Sequence, residues 1–406
     1  MKLKISKQTP ELSGNITITG SKSESNRLLI LQAFFKDIAI KNLSNSEDSQ
    51  MMQKALASRD EVVDIHHAGT AMRFLTAYFA VQDGRKTVLT GSQRMQERPV
   101  GILVDALRSM GADIEYKKNE GYPPLLIHGK NLAIAKVKLA ANVSSQYISA
   151  LMMMGGYLPQ GIEIELEGKI TSVPYIKMTQ SLLTKLGMHC TFEGQVIQVG
   201  HCSAAPQEFV VESDWSSASY YYSLCAIASE CHLKLSSYKK DSLQGDSIMA
   251  QHYREMGVET HFADNTITLT KIPGFVPKKV KFNLVDSPDT AQTIAVTCFA
   301  MGIGCHLTGL HTLKIKETDR LEALKVELTK MGADIKVTED SLTIEPSNTC
   351  NPDVTIKTYQ DHRMAMAFAP LALKVPIAFE DAEVVNKSYP DYWDDMEKLG
   401  FEVSKY

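Results

Sequence analysis

A run of hydroxyl and basic side chains separates a predicted strand from a predicted helix near the start of the chain. Residues 20–27 are Gly-Ser-Lys-Ser-Glu-Ser-Asn-Arg, with the alternating segment Asn15 to Thr19 before them and the apolar segment Leu28 to Phe35 after them. The first N–H groups of a helix lack partners within it, so they can hold an anion. Lys22 and Arg27 add positive charge. The stretch predicts a phosphate or carboxylate site, although a serine-capped helix with solvated cations explains the same residues equally well.

Similar polar groups recur where other predicted strands lead into helices. Each of these junctions combines hydroxyl, amide or charged side chains with a helix start, and they are segments 68–73, 91–99, 144–146, 172–175, 314–320, 361–363 and 386–391. An ordinary helix cap or a surface ion pair explains each one singly. If the junctions converge, they form a cleft lined by helix N-termini, arginines and lysines. Such a cleft suits a small, multiply charged anion.

The composition is typical of a two-domain enzyme and excludes several other classes. The chain has 406 residues, of which 44% are hydrophobic and 22% charged, and this length exceeds one typical core. The net charge of −4 argues against a general nucleic-acid binder. No apolar run is long enough to span a bilayer, and the first residues do not form a signal peptide. We therefore expect a cytoplasmic protein that binds neither nucleic acid nor membrane.

The cysteines are scattered and lack the spacing of a metal or redox site. They are Cys190, Cys202, Cys225, Cys231, Cys298, Cys305 and Cys350. The sequence contains neither C-x-x-C nor H-E-x-x-H, so a structural zinc or redox site is not expected. Reduced, mostly buried thiols are expected instead.

A weak internal repeat predicts a fold built from duplicated units. A helix pattern, a glycine and an alternating strand recur at intervals of about 70 residues. The glycines of the five copies, each predicted to be a left-handed helix cap, are Gly111, Gly187, Gly257, Gly332 and Gly400. A second strand usually follows, which gives a helix, a turn and two strands in each copy.

One further copy is incomplete. The segment Met51 to Ala57 predicts the helix, but Ser58 to His67 lacks the glycine turn and has room for only a short strand. A domain boundary is expected near Asp214, where a strand end leads into a new helix. No linker composition marks this boundary.

The order of motifs along the chain resembles the 5-enolpyruvylshikimate-3-phosphate synthase family of enolpyruvyl transferases. The matching segments are GSKSESNR, AGTAMR, RMQERP, SSQ, S-x-P-Y, PDTAQT, KETDR, DHRMAMA and K-S-Y-P-D-Y. They extend from about Lys2 to the C-terminus. Their number and fixed order make this resemblance specific.

The resemblance implies an α/β (α+β) fold of two domains, each with three β-α-β-α-β-β units, one of them shortened here. It assigns residues 20–213 to an N-terminal domain and residues 1–19 and 214–406 to a C-terminal domain. The active site is expected in the cleft between the domains. A monomer that needs neither metal nor organic cofactor is implied.

The implied reaction moves the enolpyruvyl group of phosphoenolpyruvate to the 5-hydroxyl of shikimate 3-phosphate and releases phosphate. By resemblance, Asp289 accepts the hydroxyl proton, Glu317 protonates the methylene, Lys22 lies between the substrates and His362 orients the site. The expected phosphoenolpyruvate ligands are Lys22, Gly69, Arg94, Gln146, Arg320, Arg363 and Lys387. The expected shikimate 3-phosphate ligands are Lys22, Ser23, Arg27, Ser144, Ser145, Gln146, Ser172, Tyr175, Asp289 and Lys316.

The sequence departs from the family pattern at three positions. His67 and Phe74 replace the Asn and Pro that end the AGTAMR motif in many relatives, and Thr312 replaces an Asn that touches the shikimate ring. Two alternatives remain open. One is a sugar-nucleotide enolpyruvyl transferase, although the loop SQRMQERP lacks the reactive Cys of that group. The other is a catalytically silent paralogue that binds anions, although the charged site residues are all present.

Overall fold

The computed structural model describes residues 1–140, 144–168, 170–201 and 206–405. It divides into two compact units. Met1–Thr19 and Glu212–Tyr406 form one, here called the split unit, and Gly20–Val211 form the other, here called the inserted unit. The predicted domain assignment stays a prediction.

The strands are short and occur throughout both units. Those of the split unit are β1 (Leu3–Ser6), β2 (Glu11–Ile16), β13 (Glu230–Ser236), β14 (Val258–Ala263), β15 (Thr266–Lys271), β16 (Val280–Asn283), β17 (Cys305–Thr308), β18 (Ile335–Val337), β19 (Leu342–Ile344), β20 (Val354–Ile356), β21 (Ile377–Phe379) and β22 (Glu402–Lys405). Those of the inserted unit are β3 (Ile38–Lys41), β4 (Val62–Asp64), β5 (Lys86–Thr90), β6 (Asp113–Tyr116), β7 (Leu125–His128), β8 (Lys136–Ala140), β9 (Ile162–Glu167), β10 (Cys190–Glu193), β11 (Val196–Val199) and β12 (Gln207–Val210).

The helices connect these strands. Those of the inserted unit are α1 (Lys22–Phe34), α2 (Glu47–Ala57), α3 (Gly69–Ala80), α4 (Gln93–Gln96), α5 (Gly101–Ser109), α6 (Ser145–Tyr157) and α7 (Val173–Lys185). Those of the split unit are α8 (Trp215–Ile227), α9 (Met249–Arg254), α10 (Ala291–Ala300), α11 (Arg320–Met331), α12 (His362–Phe368) and α13 (Tyr392–Lys398). Short 3-10 helices lie at Gly245–Ile248, Pro288–Thr290, His311–Ile315, Ala369–Leu373 and Ala382–Lys387.

The predicted repeat is confirmed. The five glycines follow α5, α7, α9, α11 and α13, and each has a φ between 79° and 104°. In a complete copy, two parallel strands are followed by an antiparallel hairpin that adds to the second of them. The sheets β4-β5-β7-β6, β8-β9-β11-β10 and β16-β17-β19-β18 have this order.

The fifth copy completes its sheet with a strand from the other end of the chain. The sheet order is β20-β21-β1-β22, and β1 is antiparallel to both of its neighbours. β2 likewise pairs with β13 in parallel. Residues from the first part of the chain therefore complete two sheets of the split unit.

The shortened copy is confirmed as well. β3 and β12 form a parallel sheet of two strands. The chain after α2 enters β4, which pairs with β5 in the next sheet. In the described residues this copy has no hairpin, so the missing strands are those that would cover the edge of β3.

One strand prediction was partly wrong. The alternation of Asn15 to Thr19 predicts a strand there, but β2 covers Glu11–Ile16. Beyond Ile16 the chain leaves the sheet because other groups bond to its carbonyls. The Ser213 hydroxyl donates to the Ile18 carbonyl at 2.5 Å, and the Asp214 N–H donates to the Thr19 carbonyl at 3.3 Å.

The central helices of the split unit are buried on every side. All residues of α8 except Ser216 are buried, and so are all residues of α10 except Ala300. Such helices need small or apolar residues around their whole circumference, which agrees with the Tyr, Ser and Ala residues of α8 and the Ala and Thr residues of α10. In the described part of the chain, no helix is both long and apolar enough to cross a membrane.

Candidate active site

The first helix of the inserted unit begins within the serine-rich motif, six residues before the apolar segment Leu28 to Phe35 in which the helix was predicted. α1 starts at Lys22 with Ser21 at its N-cap, but the Ser21 side chain makes no cap hydrogen bond. Its hydroxyl is buried and has no partner among the described residues. The Lys22 ammonium lies 3.6 Å from the Asp48 carboxylate. An ordinary serine cap therefore does not explain this junction.

Arg27 joins three helices rather than lying in solvent. Only 2% of the residue is exposed. Its guanidinium donates to the Thr179 hydroxyl at 2.7 Å, the Ser149 hydroxyl at 3.0 Å and the backbone carbonyls of Ser23 and Tyr175 at 2.7 and 3.4 Å. Burial lowers the pKa of Arg27 to about 10. The side chain thus fixes the starts of α1 and α7 against α6.

Two aromatic rings lie near this guanidinium. Its central carbon lies 5.4 Å from the centre of the Phe74 ring and 5.9 Å from that of Tyr175. Such contacts stabilise an arginine. Phe74, one of the departures from the family pattern, therefore packs against Arg27.

The starts of α3, α6 and α7 carry the other predicted residues of this unit. The Gln146 amide donates to the Thr70 hydroxyl at 3.1 Å and so links α6 to α3. Ser144 caps α6 by accepting the Gln146 N–H, and Ser145, the first residue of that helix, is buried. Ser172 precedes α7 in a left-handed conformation with a φ of 54°. These contacts place hydroxyl and amide donors at neighbouring helix starts.

Two arginines before α5, Arg94 in α4 and Arg98 after that helix, differ in their surroundings. Arg94 is partly exposed and lies 3.2 Å from the Glu97 carboxylate. Arg98 packs closely on Gly69. A Cβ atom added to that glycine would lie only 2.5 Å from the Nη1 atom of Arg98. Arg98 was not among the predicted ligands, although the motif RMQERP contains it. His67, which lies just before α3, forms a hydrogen bond with the Ser92 hydroxyl at 2.8 Å.

In the split unit, Arg320 connects three carboxylates. Its guanidinium donates to Asp361 at 2.6 Å, Glu317 at 2.7 Å and Asp289 at 2.8 Å. The Arg320 side chain is 2% exposed and that of Asp361 is fully buried. Burial opposes the charge of Arg320, but the three carboxylates outweigh it and raise its pKa further. The two predicted proton-transfer residues, Asp289 and Glu317, are therefore held by one cation.

Asp289 is surrounded by positive charge. Lys316 lies 3.4 Å and Arg363 3.2 Å from its carboxylate oxygens, in addition to Arg320. Burial by itself would raise the pKa of Asp289, but Lys316, Arg363 and Arg320 outweigh it and hold the pKa well below its usual range. The carboxylate is therefore ionised at neutral pH.

The DHR motif forms the start of α12. Asp361 is its N-cap and accepts the Arg363 N–H at 2.9 Å. His362 is buried, with its Nδ1 atom 3.8 Å from the Asp361 carboxylate. Asp361 thus lies near His362 and bonds to Arg320, which also holds Glu317. It was missed as a site residue, although it begins the motif.

Lys387 lies at the end of a 3-10 helix beside this segment. Its ammonium donates to the Gln360 carbonyl at 2.7 Å. Tyr359 and Gln360 both have positive φ values, 53° and 55°, which cost free energy for residues other than glycine. The Lys387 contact stabilises this turn just before Asp361.

The described side chains bear on the predictions about metal ligands and about cysteines. Where the chain is described, no three His, Cys, Asp or Glu side chains form a cluster suited to a metal ion. The described cysteines are all free thiols, and four of the six are buried. Cys202 lies outside the described residues.

The structure groups the predicted residues in two sets. In the inserted unit, contacts join the helix starts that carry Ser23, Arg27, Gly69, Gln146 and Tyr175. In the split unit, Lys316, Glu317, Arg320, Arg363 and Asp289 form one charged cluster. Thr312, left unassigned by the sequence, has a buried hydroxyl without a partner among the described residues.

A profile of the family described as EPSP synthase (3-phosphoshikimate 1-carboxyvinyltransferase) matches residues 51–396. This chain belongs to the EPSP synthase family. A 3-phosphoshikimate 1-carboxyvinyltransferase of Bacteroides fragilis is 45% identical to it over 402 residues, which are 97% of each chain. The enzyme of that name from Vibrio campbellii is 35% identical over 424 residues, covering 96% of this chain and 97% of the relative.

Solved structures support the fold. EPSP synthase from Acinetobacter baumannii is similar over the full length of both chains, with a TM-score of 0.80 and 21% identity. The enolpyruvyl transferase NikO from Streptomyces tendae is similar with a TM-score of 0.76 and 16% identity, over 99% of this chain and 98% of its own. The predicted EPSP synthase family and its α/β fold are thus confirmed.

Proposed function

We propose that this chain transfers the enolpyruvyl group of phosphoenolpyruvate to the 5-hydroxyl of shikimate 3-phosphate and releases inorganic phosphate. The curated relatives that match this chain over nearly their whole length are named after this transferase activity. The observation that carries the proposal is the cluster in which Arg320 holds Asp289 and Glu317. One carboxylate to accept a proton and one acid to donate it are what this chemistry needs.

The reaction joins two anions, so the protein must offset their repulsion. Lys22, Arg94, Gln146, Arg320, Arg363 and Lys387 are the proposed ligands of phosphoenolpyruvate, together with the N–H groups at Gly69. Ser23, Arg27, Ser144, Ser145, Ser172, Tyr175 and Lys316 are the proposed ligands of shikimate 3-phosphate. Fixed positive groups and helix N-termini stabilise charge that develops during the reaction. Tight positioning of both substrates lowers the barrier further.

The proton transfers follow from these assignments. Glu317 donates a proton to the methylene carbon, and Asp289 takes the proton of the 5-hydroxyl as its oxygen bonds to the central carbon of the enolpyruvyl group. The resulting tetrahedral adduct then returns a proton from its new methyl group to Glu317, and its bond to the phosphate oxygen breaks. Lys22 and His362 assist by holding charge and orientation.

The low pKa of Asp289 constrains this mechanism. A carboxylate held by three cations is a weak base, and a catalytic base works best with a pKa near the operating pH. A dianionic phosphate and a carboxylate arriving beside Lys316, Arg320 and Arg363 would offset those cations. Substrate binding therefore raises the pKa of Asp289 and makes it a better acceptor.

The remaining features complete the proposal. The enzyme serves aromatic amino acid biosynthesis as a monomer in the cytoplasm, in keeping with its free thiols. Light scattering of the purified protein tests the monomer. Thr312 offers a hydroxyl where many relatives carry an amide, and the shikimate ring can satisfy it.

Phosphate release from phosphoenolpyruvate tests the reaction. One tube contains shikimate 3-phosphate and the other UDP-N-acetylglucosamine, and we expect release only in the first. Asp289→Asn and Glu317→Gln should each lower turnover by about a thousandfold. Glu322→Gln, an exposed residue of α11, is the matched control and should keep wild-type turnover. Release only with the sugar nucleotide would assign the acceptor of the alternative family, and folded protein that is silent in both tubes would overturn the proposal.

A further inference from the structure

A buried carboxyl group lies next to the charged cluster of the split unit. Asp246, in the 3-10 helix Gly245–Ile248, is 2% exposed. Its Oδ2 atom accepts a hydrogen bond from the Ser216 hydroxyl. Its Oδ1 atom is buried and has no partner among the described residues. This carboxyl was not among the predicted site residues, and no step of the proposed reaction uses it.

The serine passes this interaction on to Arg363. Ser216 lies in the first turn of α8, and its oxygen accepts from the Arg363 Nη2 group at 3.3 Å. A hydroxyl has only one proton to donate. Because that proton points to Asp246, the lone pairs of the oxygen are turned toward the guanidinium. Asp246 therefore sets the direction of the Ser216–Arg363 bond.

Arg363 is also held by Asp289. Its Nη1 group donates to the Asp289 carbonyl at 3.2 Å, and its Nη2 group donates to the Asp289 carboxylate at 3.2 Å. The Nη2 group thus bonds both to Asp289 and to Ser216 of the Asp246–Ser216 pair. A change at Asp246 alters one support of Arg363.

The groups that face Asp246 come from three other elements. They are Arg363 of α12, Asp289 of the 3-10 helix Pro288–Thr290 and Asp214 at the N-cap of α8. Burial raises the pKa of Asp246 to about 6, with Asp289 and Asp214 acting in the same direction and Arg363 and Ser216 against it. The carboxyl therefore changes its charge within a range of pH in which the enzyme can be assayed.

We propose that Asp246 is a positioning residue, which acts through Ser216 to hold Arg363 ready for an anionic substrate and releases that hold when it is protonated. The neutral carboxyl donates its own proton to the Ser216 oxygen and competes with Arg363 for it. The negative charge of Asp246 is lost at the same time. The choice of phosphoenolpyruvate as the anion rests on the proposed function.

Kinetics of three variants test the proposal. Asp246→Asn removes the charge, and Ser216→Ala breaks the link without touching the carboxyl. Glu212→Gln is the matched control, because Glu212 is also buried and has a pKa raised by burial, but its bonds go to Trp215, Lys239 and Ser242. At pH 8 we expect Asp246→Asn and Ser216→Ala to raise the KM for phosphoenolpyruvate about tenfold, with kcat changed less than about twofold. The control should leave KM unchanged.

The pH profile separates positioning from a structural role. Substrate phosphates also titrate near pH 6, so the ratio of the variant KM to the wild-type KM is the quantity to compare. For Asp246→Asn this ratio should fall from about ten at pH 8 toward one at pH 5, because the wild-type carboxyl is then protonated too. A ratio that is constant with pH, or a kcat defect alone, would overturn the proposal.

Nuclear magnetic resonance of the arginine side chains gives a readout that needs no turnover. The Arg363 Nε signal is assigned by its loss in Arg363→Lys. Its chemical shift should change with pH in the wild type, with a midpoint near pH 6, and should not change with pH in Asp246→Asn and Ser216→Ala. If that coupling is present but no phosphate is released, the proposed function fails and this inference stands. If turnover is normal and the chemical shift of this signal does not change with pH in the wild type, the inference fails and the function stands.

Discussion

The inserted unit brings neutral donors to helix starts, whereas the split unit brings opposite charges together. Around Arg27 the acceptors are hydroxyl groups and backbone carbonyls. Around Arg320 they are three carboxylates. These acceptors carry no charge, and Glu24 is a nearby carboxylate that raises the pKa of Arg27 against the effect of burial. Carboxylates compensate the charge of Arg320. We therefore propose that the split unit supplies proton-transfer groups and that the inserted unit supplies attraction for the substrate.

Removing Arg320 should produce the largest effect. Arg320→Met leaves Asp361 buried without its cation, which typically costs about 3–5 kcal/mol. Activity should fall about a thousandfold, because Asp289 and Glu317 lose their common anchor. Urea unfolding and phosphate release measure the two effects. Lys325→Met, on an exposed side of the same helix, should change stability by less than about 0.5 kcal/mol. Retention of wild-type stability in Arg320→Met would falsify the central place given to this arginine.

Replacing Arg27 should have a smaller effect of a different kind. An Arg27→Lys variant keeps the charge but cannot reach Thr179, Ser149 and the Ser23 carbonyl together. Leaving such buried acceptors without a donor costs about 2 kcal/mol. We expect a raised KM for shikimate 3-phosphate and little change in kcat, measured by steady-state assays. The exposed Arg59→Lys serves as control. If kcat falls while KM stays constant, the contrast between the two units is wrong.

Acid should loosen the split unit first. The pKa of Asp289 is lowered from 3.8 in the folded protein, so its contribution to stability is present above about pH 4 and is lost as the pH falls toward the folded value. Hydrogen exchange followed by mass spectrometry at pH 7 and pH 3 can compare α10 and α11 with α1 and α6. The ratio of protection should fall more in α10 and α11. Equal loss in both units would contradict this expectation, and Asp289→Asn should reduce the difference.

The smallest effect is expected at His67. A His67→Phe variant loses the bond to Ser92, worth about 1 kcal/mol, so the KM for phosphoenolpyruvate should rise at most about fivefold. Ser92 keeps its cap bond to the Met95 N–H, which limits the change. His66→Phe, a neighbouring exposed residue, should leave KM unaltered. A rise of a hundredfold would show that His67 contacts the substrate itself.

Much of the fold followed from local sequence signals. Helices α1, α3, α6, α7, α11 and α12 begin at or next to the predicted junctions, because hydroxyl groups, glycine and acidic residues mark helix starts. The glycine turns and the shortened copy were also predicted. The place of β1 between β21 and β22 was not, because pairing of distant strands leaves no local pattern in the sequence.

The site was predicted less fully than the fold. Motifs identified Asp289, Glu317 and Arg320, but nothing in the spacing showed that Arg27 would be buried at the contact of three helices. Asp246 was missed for the same reason. Its partner Ser216 is 30 residues away in the chain, and Arg363 is 147 residues from Ser216. Contacts of this kind depend on tertiary packing.

The position of β1 also orders events during synthesis. Leu3–Ser6 leave the ribosome before the whole inserted unit, yet their two neighbours in the sheet, β21 and β22, are made after it. The inserted unit has all of its own strands once Val210 has emerged. It can therefore fold during translation, whereas the split unit must keep its first strand unpaired until β21 has been made. A nascent chain halted before Ile377 should bind chaperones through the split unit alone.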